Sequence, residues 1–367
     1  MIKYLGSKRR LVPLITDIAR CTGAGTAVDM FSGSTRVSRA LKQAGLTVTA
    51  VDSAHYAAAL AQGLVVPDRD EVDLVELDRL VSELDALPGR DGYVTQTFCR
   101  SSRFFQERNG RRIDAIRDAI EGFRGSDWYP ILLSSLLIAA DRVDSTTGVQ
   151  MAYLKQWSPR SHNELHLTAP DLLPGQGHAI RADARTSAAT LGRFDFAYLD
   201  PPYNQHRYDS NYHIWETLVR WDEPDHYGVA CKRSDLRDPA NRSDFNGRRT
   251  FAPALRDTIL ATRAETVVVS YNDESWVDRT EIEQWLAEAG HPVQTCLAIE
   301  SARYVGARIG VHSPDGRRVG RPGRLRNNEW LVVGTREDLL APITRCGVAH
   351  GCTVLPAGRP APAHAVR

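Results

Sequence analysis

The ten residues from Phe194 to Tyr203, Phe-Asp-Phe-Ala-Tyr-Leu-Asp-Pro-Pro-Tyr, constrain this chain more than any other stretch. Phe196 to Leu199 is a short apolar, aromatic run that two prolines stop, the pattern of a buried strand ending where Asp200 begins a loop. A carboxylate, a rigid Pro201-Pro202 turn and the Tyr203 ring then stand together at a strand's carboxyl end, where open α/β sheets bind their ligands. Proline has no N–H, so Asp200 and the carbonyls beside the prolines are acceptors without neighbouring donors. Such a cluster suits a substrate amine carrying two hydrogens, and Tyr203 adds a face on which a planar base can stack. A plain turn capping a strand has the same four residues, so the rest of the chain must decide between the two.

The amino-terminal stretch supplies a second constraint. Lys3-Tyr4-Leu5-Gly6-Ser7-Lys8-Arg9-Arg10 is a basic, glycine-containing loop before an apolar pattern at Leu11, Leu14, Ile15 and Ile18 that predicts a helix with Pro13 in its first turn. Such a loop can hold an anion or carboxylate at the helix start, or be a solvated basic terminus. Thr26 to Thr35 then reads as a strand entering a Gly/Ser turn, followed by a helix from about Arg36 to Gln43 and a second strand, Thr47 to Val51, ending at Asp52. Strand, tight turn, helix, strand and acid is the layout of a nucleoside-binding βαβ unit, in which the acid takes ribose hydroxyls. Only Gly33 occupies the turn, so a pyrophosphate has no good cradle. A nucleoside without phosphates fits better than NAD, and S-adenosylmethionine is such a ligand.

The middle of the chain breaks the strand–helix alternation. Val65 to Asp91 is acidic, with nine Asp or Glu against three Arg, and its apolar spacing predicts an amphipathic helix with a solvated face. Tyr93 to Arg124 reverses the sign, with seven Arg against four acids interleaved with Tyr93, Phe98, Phe104, Phe105 and Phe123. Tyr129 to Ala140 reads as a buried helix, and Asp144 to Gly148 as a polar turn before Tyr153, Lys155, Trp157, Arg160 and His162. Basic residues among aromatics and small hydroxyls are what phosphate positioning and base contact require. Further strands are expected at Ile180 to Asp183, Glu265 to Tyr271, Val293 to Ile299 and Glu329 to Val333. Lys232 to Arg249 reads as a mobile polar loop. Ser301 to Arg326 carries seven Arg against one acid and is the strongest local polyanion signal.

Composition excludes several classes. The 367 residues exceed the common single-domain size, with 42% hydrophobic and 25% charged residues as in ordinary globular proteins. A net charge of +1 leaves any polyanion partner to the local basic stretches. Six cysteines without a Cys-x-x-Cys pair suit a reducing, cytoplasmic setting. Cys346, His350 and Cys352 are close in sequence, but a Pro/Gly-rich tail explains them better than zinc, and no metal is expected. No apolar run approaches the roughly 20 residues of a membrane span, so no membrane partner is expected.

Taken in order, the motifs Tyr4-Leu5-Gly6-Ser7-Lys8, Asp29-Met30-Phe31-Ser32-Gly33-Ser34 and Asp200-Pro201-Pro202-Tyr203 resemble those of the D12 class of DNA adenine-N6 methyltransferases, the Dam-like group, in the alpha arrangement. The resemblance covers roughly Ile2 to Val333. It implies an α/β fold: a Rossmann-like, S-adenosylmethionine-dependent methyltransferase sheet with a mainly helical target-recognition insertion. The expected division is a cofactor-binding part over 1–92, a helical DNA-recognition insertion over 93–174, a catalytic part with basic loops over 175–340 and a disordered tail over 341–367. Asp200, Pro201, Pro202 and Tyr203 would be catalytic. Tyr4 and Lys8 would hold the methionine part of the cofactor, the Asp29, Phe31 and Gly33 turn would pass beneath it, and Asp52 would take the ribose. Asp183 would lie near the cofactor's adenine, and Tyr212 would pack on cofactor or base. Asp29 departs from the Glu-Pro of many relatives. Duplex DNA is the expected partner, held by Arg103, Arg108, Arg111 and Arg112 and by Arg317, Arg318, Arg321 and Arg324, with a cognate restriction endonuclease as a further candidate.

Rival chemistries leave different marks. Carbon-5 cytosine methylation needs a cysteine nucleophile, usually after proline, and no Pro-Cys occurs. Cytosine-amine enzymes usually begin the tetrapeptide with Ser, and ribosomal RNA and protein-glutamine enzymes with Asn. A non-catalytic DNA-binding protein on the same fold would have lost the tetrapeptide or the cofactor turn, and both stand here.

Overall fold

The computed structural model describes residues 1–4, 6, 8–202, 207–272, 275–302 and 326–357. Its strands, in chain order, are β1 (Thr26–Asp29), β2 (Thr47–Asp52), β3 (Gly177–Arg181), β4 (Phe194–Leu199), β5 (His226–Tyr227), β6 (Lys232–Arg233), β7 (Ala264–Asn272), β8 (Val293–Ala302), β9 (Arg326–Thr335) and β10 (Thr353–Pro356). They belong to two units, one built from 1–7, 32–181 and 207–242, the other from 8–31, 182–206 and 243–367.

In the first unit β2 and β3 pair in parallel, with Asp52 opposite Arg181. Between them the described regular structure is helical, including His55–Leu64, Leu74–Asp85, Glu107–Glu121 and Trp128–Val143. A helical insertion therefore separates these two strands, and its helices begin ahead of residue 93. Tyr56, Leu60, Leu64, Ile113, Ile116, Leu133 and Leu136 form its core. Gly63 lets two of these helices touch: a Cβ there would come within 2.1 Å of the Pro130 carbonyl oxygen. Asp114 adds a polar tie, accepting the backbone N–H of Val94 and Thr95 at 2.9 Å each and the Thr95 hydroxyl at 2.6 Å.

In the second unit β1, β4 and β7 run parallel, with Val28 opposite Ala197 and Ala197 opposite Val267. β9 pairs antiparallel with both β7 and β8, and β10 with β8. The strand order within this unit is β10-β8-β9-β7-β4-β1. Parallel strands covered on both faces need continuous apolar runs. Phe196 to Leu199 and Val267 to Val269 supply them and are buried. Asp195 pins the start of β4, accepting the Gly25 and Thr26 N–H groups at 3.0 and 2.8 Å. Together the elements make a mixed α/β, Rossmann-like fold with helical insertions.

Two expectations are corrected. The segment beyond Pro342 is not a disordered tail as far as Ala357: Leu340–Ala349 is a helix, and β10 follows. Its Gly and Pro content hid a packing role, because Gly347 lies so close to Leu297 that a Cβ would meet Cδ2 at 2.5 Å. Nor is the start of the Lys232 to Arg249 stretch a loose loop. Arg233 is buried and makes paired bonds at 2.7 Å to both oxygens of Asp222, with Asp235 on its other side. Five donors in a rigid fork can tie a polar segment down without an apolar core.

Candidate active site

In the second unit Lys8 meets Asp200 at the carboxyl end of β4, and Asp29 of β1 stands opposite Tyr198. The strand stays hydrogen-bonded to its end, the Met30 N–H donating to the Tyr198 carbonyl at 3.0 Å. Pro201 and Pro202 follow and donate nothing, so the chain leaves the sheet at Asp200. Lys8 is buried, and its ammonium lies 3.2 Å from Asp200 Oδ1 and 3.8 Å from Glu329 Oε2. Tyr203 lies outside the described residues. Asp29 ends β1 and is buried, and the Phe31 ring meets Phe245 edge-on at 5.0 Å. Asp183 caps the helix Ala184–Thr190, accepting the N–H of Arg185 at 3.0 Å and of Thr186 at 3.4 Å.

The first unit carries a second constellation, built round Asp52 and Tyr4. Asp52 Oδ2 accepts the Gly33 N–H and Oδ1 the Ala54 N–H, each at 2.9 Å. Burial pushes the Asp52 carboxyl up to about 6 against the pull of those two N–H groups, and the charge of Glu216 adds to the rise. The Tyr4 ring stacks on Tyr212 at 4.7 Å and on Tyr208 at 5.3 Å, and its hydroxyl meets that of Tyr56 at 3.0 Å. Burial, with help from neighbouring phenols and Asp52, holds both the Tyr4 and Tyr56 phenols well above their ordinary values, so they stay protonated. Gly33 has φ of +47°, and a Cβ there would lie 2.9 Å from the Tyr4 ring. The turn is thus a close approach of backbone to an aromatic face that only glycine permits.

Sequence reasoning missed three residues here. Glu216 binds the His55 ring and accepts the Tyr56 N–H at 3.3 Å, and Tyr56 closes the aromatic cluster. The near-helical spacing of Tyr212 and Glu216 hinted at a shared face, but nothing linked them to residues 55 and 56.

The arginines expected to hold DNA divide. Arg103 donates to the Lys155 carbonyl at 2.8 Å and lies over the Trp157 ring at 4.9 Å, on an exposed face. Arg108 donates to the His162 carbonyl, and Arg111 pairs with Asp91 at 2.6 Å. Arg112 is committed inside the unit, bonded to the Leu165 carbonyl at 3.0 Å and to Asp85 at 2.7 Å. Arg160 ties the polar turn down through Asp144 and the Thr146 carbonyl. Arg317, Arg318, Arg321 and Arg324 lie outside the described residues. Among the described residues no helix is long and apolar enough to cross a membrane.

A strand-end acid followed by two prolines in one unit, and an aromatic cluster with a strand-end acid at a glycine turn in the other, are the features of a Rossmann-like amino-methyltransferase. Residues 4–281 match the D12 class of N6 adenine-specific DNA methyltransferases, and the chain belongs to that family. It is similar to the Type II methyltransferase M.NlaIII of Neisseria lactamica, with 29% identity over 74% of this chain and 84% of that protein. The Type II methyltransferase M.CviAII of Paramecium bursaria Chlorella virus 1 shares 29% over 79% of this chain and 89% of its own. The modification methylase StsI of Streptococcus sanguinis shares 27% over 78% of this chain, which spans only 46% of that protein.

Proposed function

We propose that this chain is a Dam-like, site-specific methyltransferase that moves a methyl group from S-adenosylmethionine to the exocyclic amine of adenine in duplex DNA, in a restriction-modification or related system. The observation that carries the reading is Asp200 at the carboxyl end of β4, backed by two prolines and beside the buried Lys8 ammonium. The relatives' printed names, Type II methyltransferase and modification methylase, point to the same kind of system.

The residues fit the cofactor. Asp52 keeps lone pairs beyond the two backbone N–H bonds and can accept a ribose diol. The stacked rings of Tyr4 and Tyr212 give an aromatic wall suited to a phosphate-free, cationic ligand. When bound, the cofactor supplies an electrophilic methyl group on a sulfonium.

The adenine amine is a poor nucleophile because its lone pair is delocalised into the ring. Asp200 and a proline carbonyl accept its two hydrogens, which localises the lone pair and aims it along one line. As the nitrogen–carbon bond forms, the methyl's bond to sulfur would break and leave a neutral thioether, while the amine loses one proton for which the Asp200 carboxylate is the acceptor at hand. The reaction uses alignment and electrostatics, without an enzyme nucleophile. The base has to leave the duplex, with Tyr203 as its stacking platform.

Single-turnover transfer of a labelled methyl group to duplex DNA tests the reading. Asp200→Ala should lower the rate about 100- to 1000-fold, the usual loss for one preorganised polar group, while cofactor and DNA affinity stay within a few-fold. Transfer at the normal rate would put the chemistry elsewhere. Sequencing host DNA for modified adenines, with and without the protein, identifies the target base.

A further inference from the structure

Glu329 lies outside the residues matched to the family, on β9, opposite Asn272 of β7 and Ile299 of β8. Its carboxylate nevertheless reaches a buried ammonium that touches Asp200: the Lys8 Nζ lies 3.2 Å from Asp200 and 3.8 Å from Glu329. Lys8 is 5% exposed, so this ammonium has left water and needs strong partners. Glu329 keeps 27% of its side chain exposed and Asp200 18%, so both carboxylates are still reachable.

The arrangement poses a chemical problem. An ammonium bonded to Asp200 keeps that carboxylate ionised, which the reaction needs, yet it also occupies an oxygen that the target amine must use. A second carboxylate within reach of the same ammonium resolves this, because it can take a larger share of Lys8 when the amine arrives. We propose that Glu329 is a positioning residue for methyl transfer: it holds the Lys8 ammonium at Asp200 in the resting site and draws it aside when the target amine binds. Lys8 then serves the acceptor side of the reaction. The inference rests on the reading of Asp200 given above.

The charges make opposite predictions for the two partners. Among the described residues Lys8 is a charged side chain at Asp200, with Glu329 at the same ammonium, and the strands flanking β4 end in Asp29 on β1 and in Tyr271 and Asn272 on β7. Those flanking groups stay in place in every variant. Lys8→Met removes the positive neighbour, so the acid limb of kcat should move to higher pH. Glu329→Gln removes a negative charge and leaves the ammonium wholly to Asp200, so the limb should move to lower pH, with kcat at its plateau down about tenfold, a loss typical of one charge-assisted contact.

The experiment is the pH profile of single-turnover transfer for both variants, with Glu329→Asp as the conservative replacement and thermal unfolding recorded for each. Affinity for S-adenosylhomocysteine and for duplex DNA should stay within about twofold for Glu329→Gln, since the loss falls on the chemical step. Glu329→Asp keeps the charge and should recover most of the rate. Opposite displacements of the acid limb support the proposal. Displacement in the same direction, or a Glu329→Gln variant with the normal rate and profile, overturns it. If Asp200→Ala is inactive while Glu329→Gln is normal, only this inference fails; if Asp200→Ala is active, the reading beneath it fails as well. Should Glu329→Gln unfold, Glu329→Asp carries the same test: a normal melting temperature with a rate as low as that of Lys8→Met overturns the proposal.

Discussion

Asp52 and Asp200 both stand at the carboxyl end of a parallel strand, and the chain treats them in opposite ways. Asp52 is met by two backbone N–H groups, that of Ala54 just after it and that of Gly33 from the earlier glycine turn, each donating to one carboxylate oxygen. After Asp200 come two prolines with no N–H to give, and the neighbour that approaches is a side-chain ammonium held by a second acid. A carboxylate fixed by backbone donors is a rigid acceptor for a ligand that stays in place. One beside prolines, with a movable cation, suits a partner that arrives, reacts and leaves. If this contrast is right, substitutions at the first acid should fall on binding and those at the second on the chemical step.

Asp52 offers the largest effect by which the contrast can be broken. Asp52→Asn loses the charge that strengthens bonds to a ribose diol, each worth about 1.5 to 3 kcal/mol, so cofactor affinity should fall roughly 10- to 100-fold. Transfer at saturating cofactor should change only a few-fold. The group titrates near 6 because burial raises it, so the affinity of the native protein should decline as pH falls through about 6, and that decline should vanish in Asp52→Asn. Stability moves the other way. The folded value lies above the ordinary 3.8, so ionised Asp52 opposes folding above about pH 6 and the opposition is relieved as pH falls below it. Asp52→Asn should therefore bind cofactor worse yet melt higher at neutral pH. Calorimetry and a melting series give both signs, and a variant that loses only kcat would dissolve the distinction between the two acids.

Gly33→Ala sharpens the same comparison with a smaller effect. A left-handed alanine costs about 1 to 2 kcal/mol, and its Cβ would press on the Tyr4 ring at 2.9 Å. The turn that donates to Asp52 and the ring that stacks on Tyr212 are disturbed together, so cofactor affinity should drop about tenfold, equivalent to that strain. Calorimetry with S-adenosylhomocysteine is the measurement, and unchanged affinity would separate the turn from the ligand.

The strand ends were legible in the sequence because their signals are local. Phe196 to Leu199 is apolar and prolines follow; Thr47 to Val51 alternates and an acid follows. Partners far apart in the chain were not. Lys8 was expected on the cofactor's methionine part, and nothing in its own stretch tells that Asp200 and Glu329, 192 and 321 residues away, stand beside it. Tyr56 was unremarkable in the run His-Tyr-Ala-Ala-Ala, and only the fold sets its hydroxyl against Tyr4. The region after Pro342 was misread for a related reason: a glycine that permits close packing and a glycine that permits disorder have the same letter.

That limit also divides the arginines, and the division gives the smallest predicted effect. Counting charges over Tyr93 to Arg124 treats Arg103 and Arg112 alike, yet Arg112 is bonded to Asp85 and to the Leu165 carbonyl, while Arg103 lies on an exposed face over Trp157. A guanidinium bonded to an internal carboxylate and two carbonyls has little left for a phosphate, whereas Arg103, resting on an indole, has one such bond, to the Lys155 carbonyl. Arg103→Ala should weaken DNA binding to a similar extent on every sequence and make the salt dependence shallower by about 0.9 in slope, the release of one phosphate contact. Arg112→Ala should leave that slope alone and lower stability, because it strands the partly buried Asp85 carboxylate without its cation. Binding isotherms at several salt concentrations, read beside melting temperatures, tell the two apart. Equal slope changes in both variants would mean that the Arg112–Asp85 pair opens when DNA binds, and that the whole basic helix face contacts phosphate.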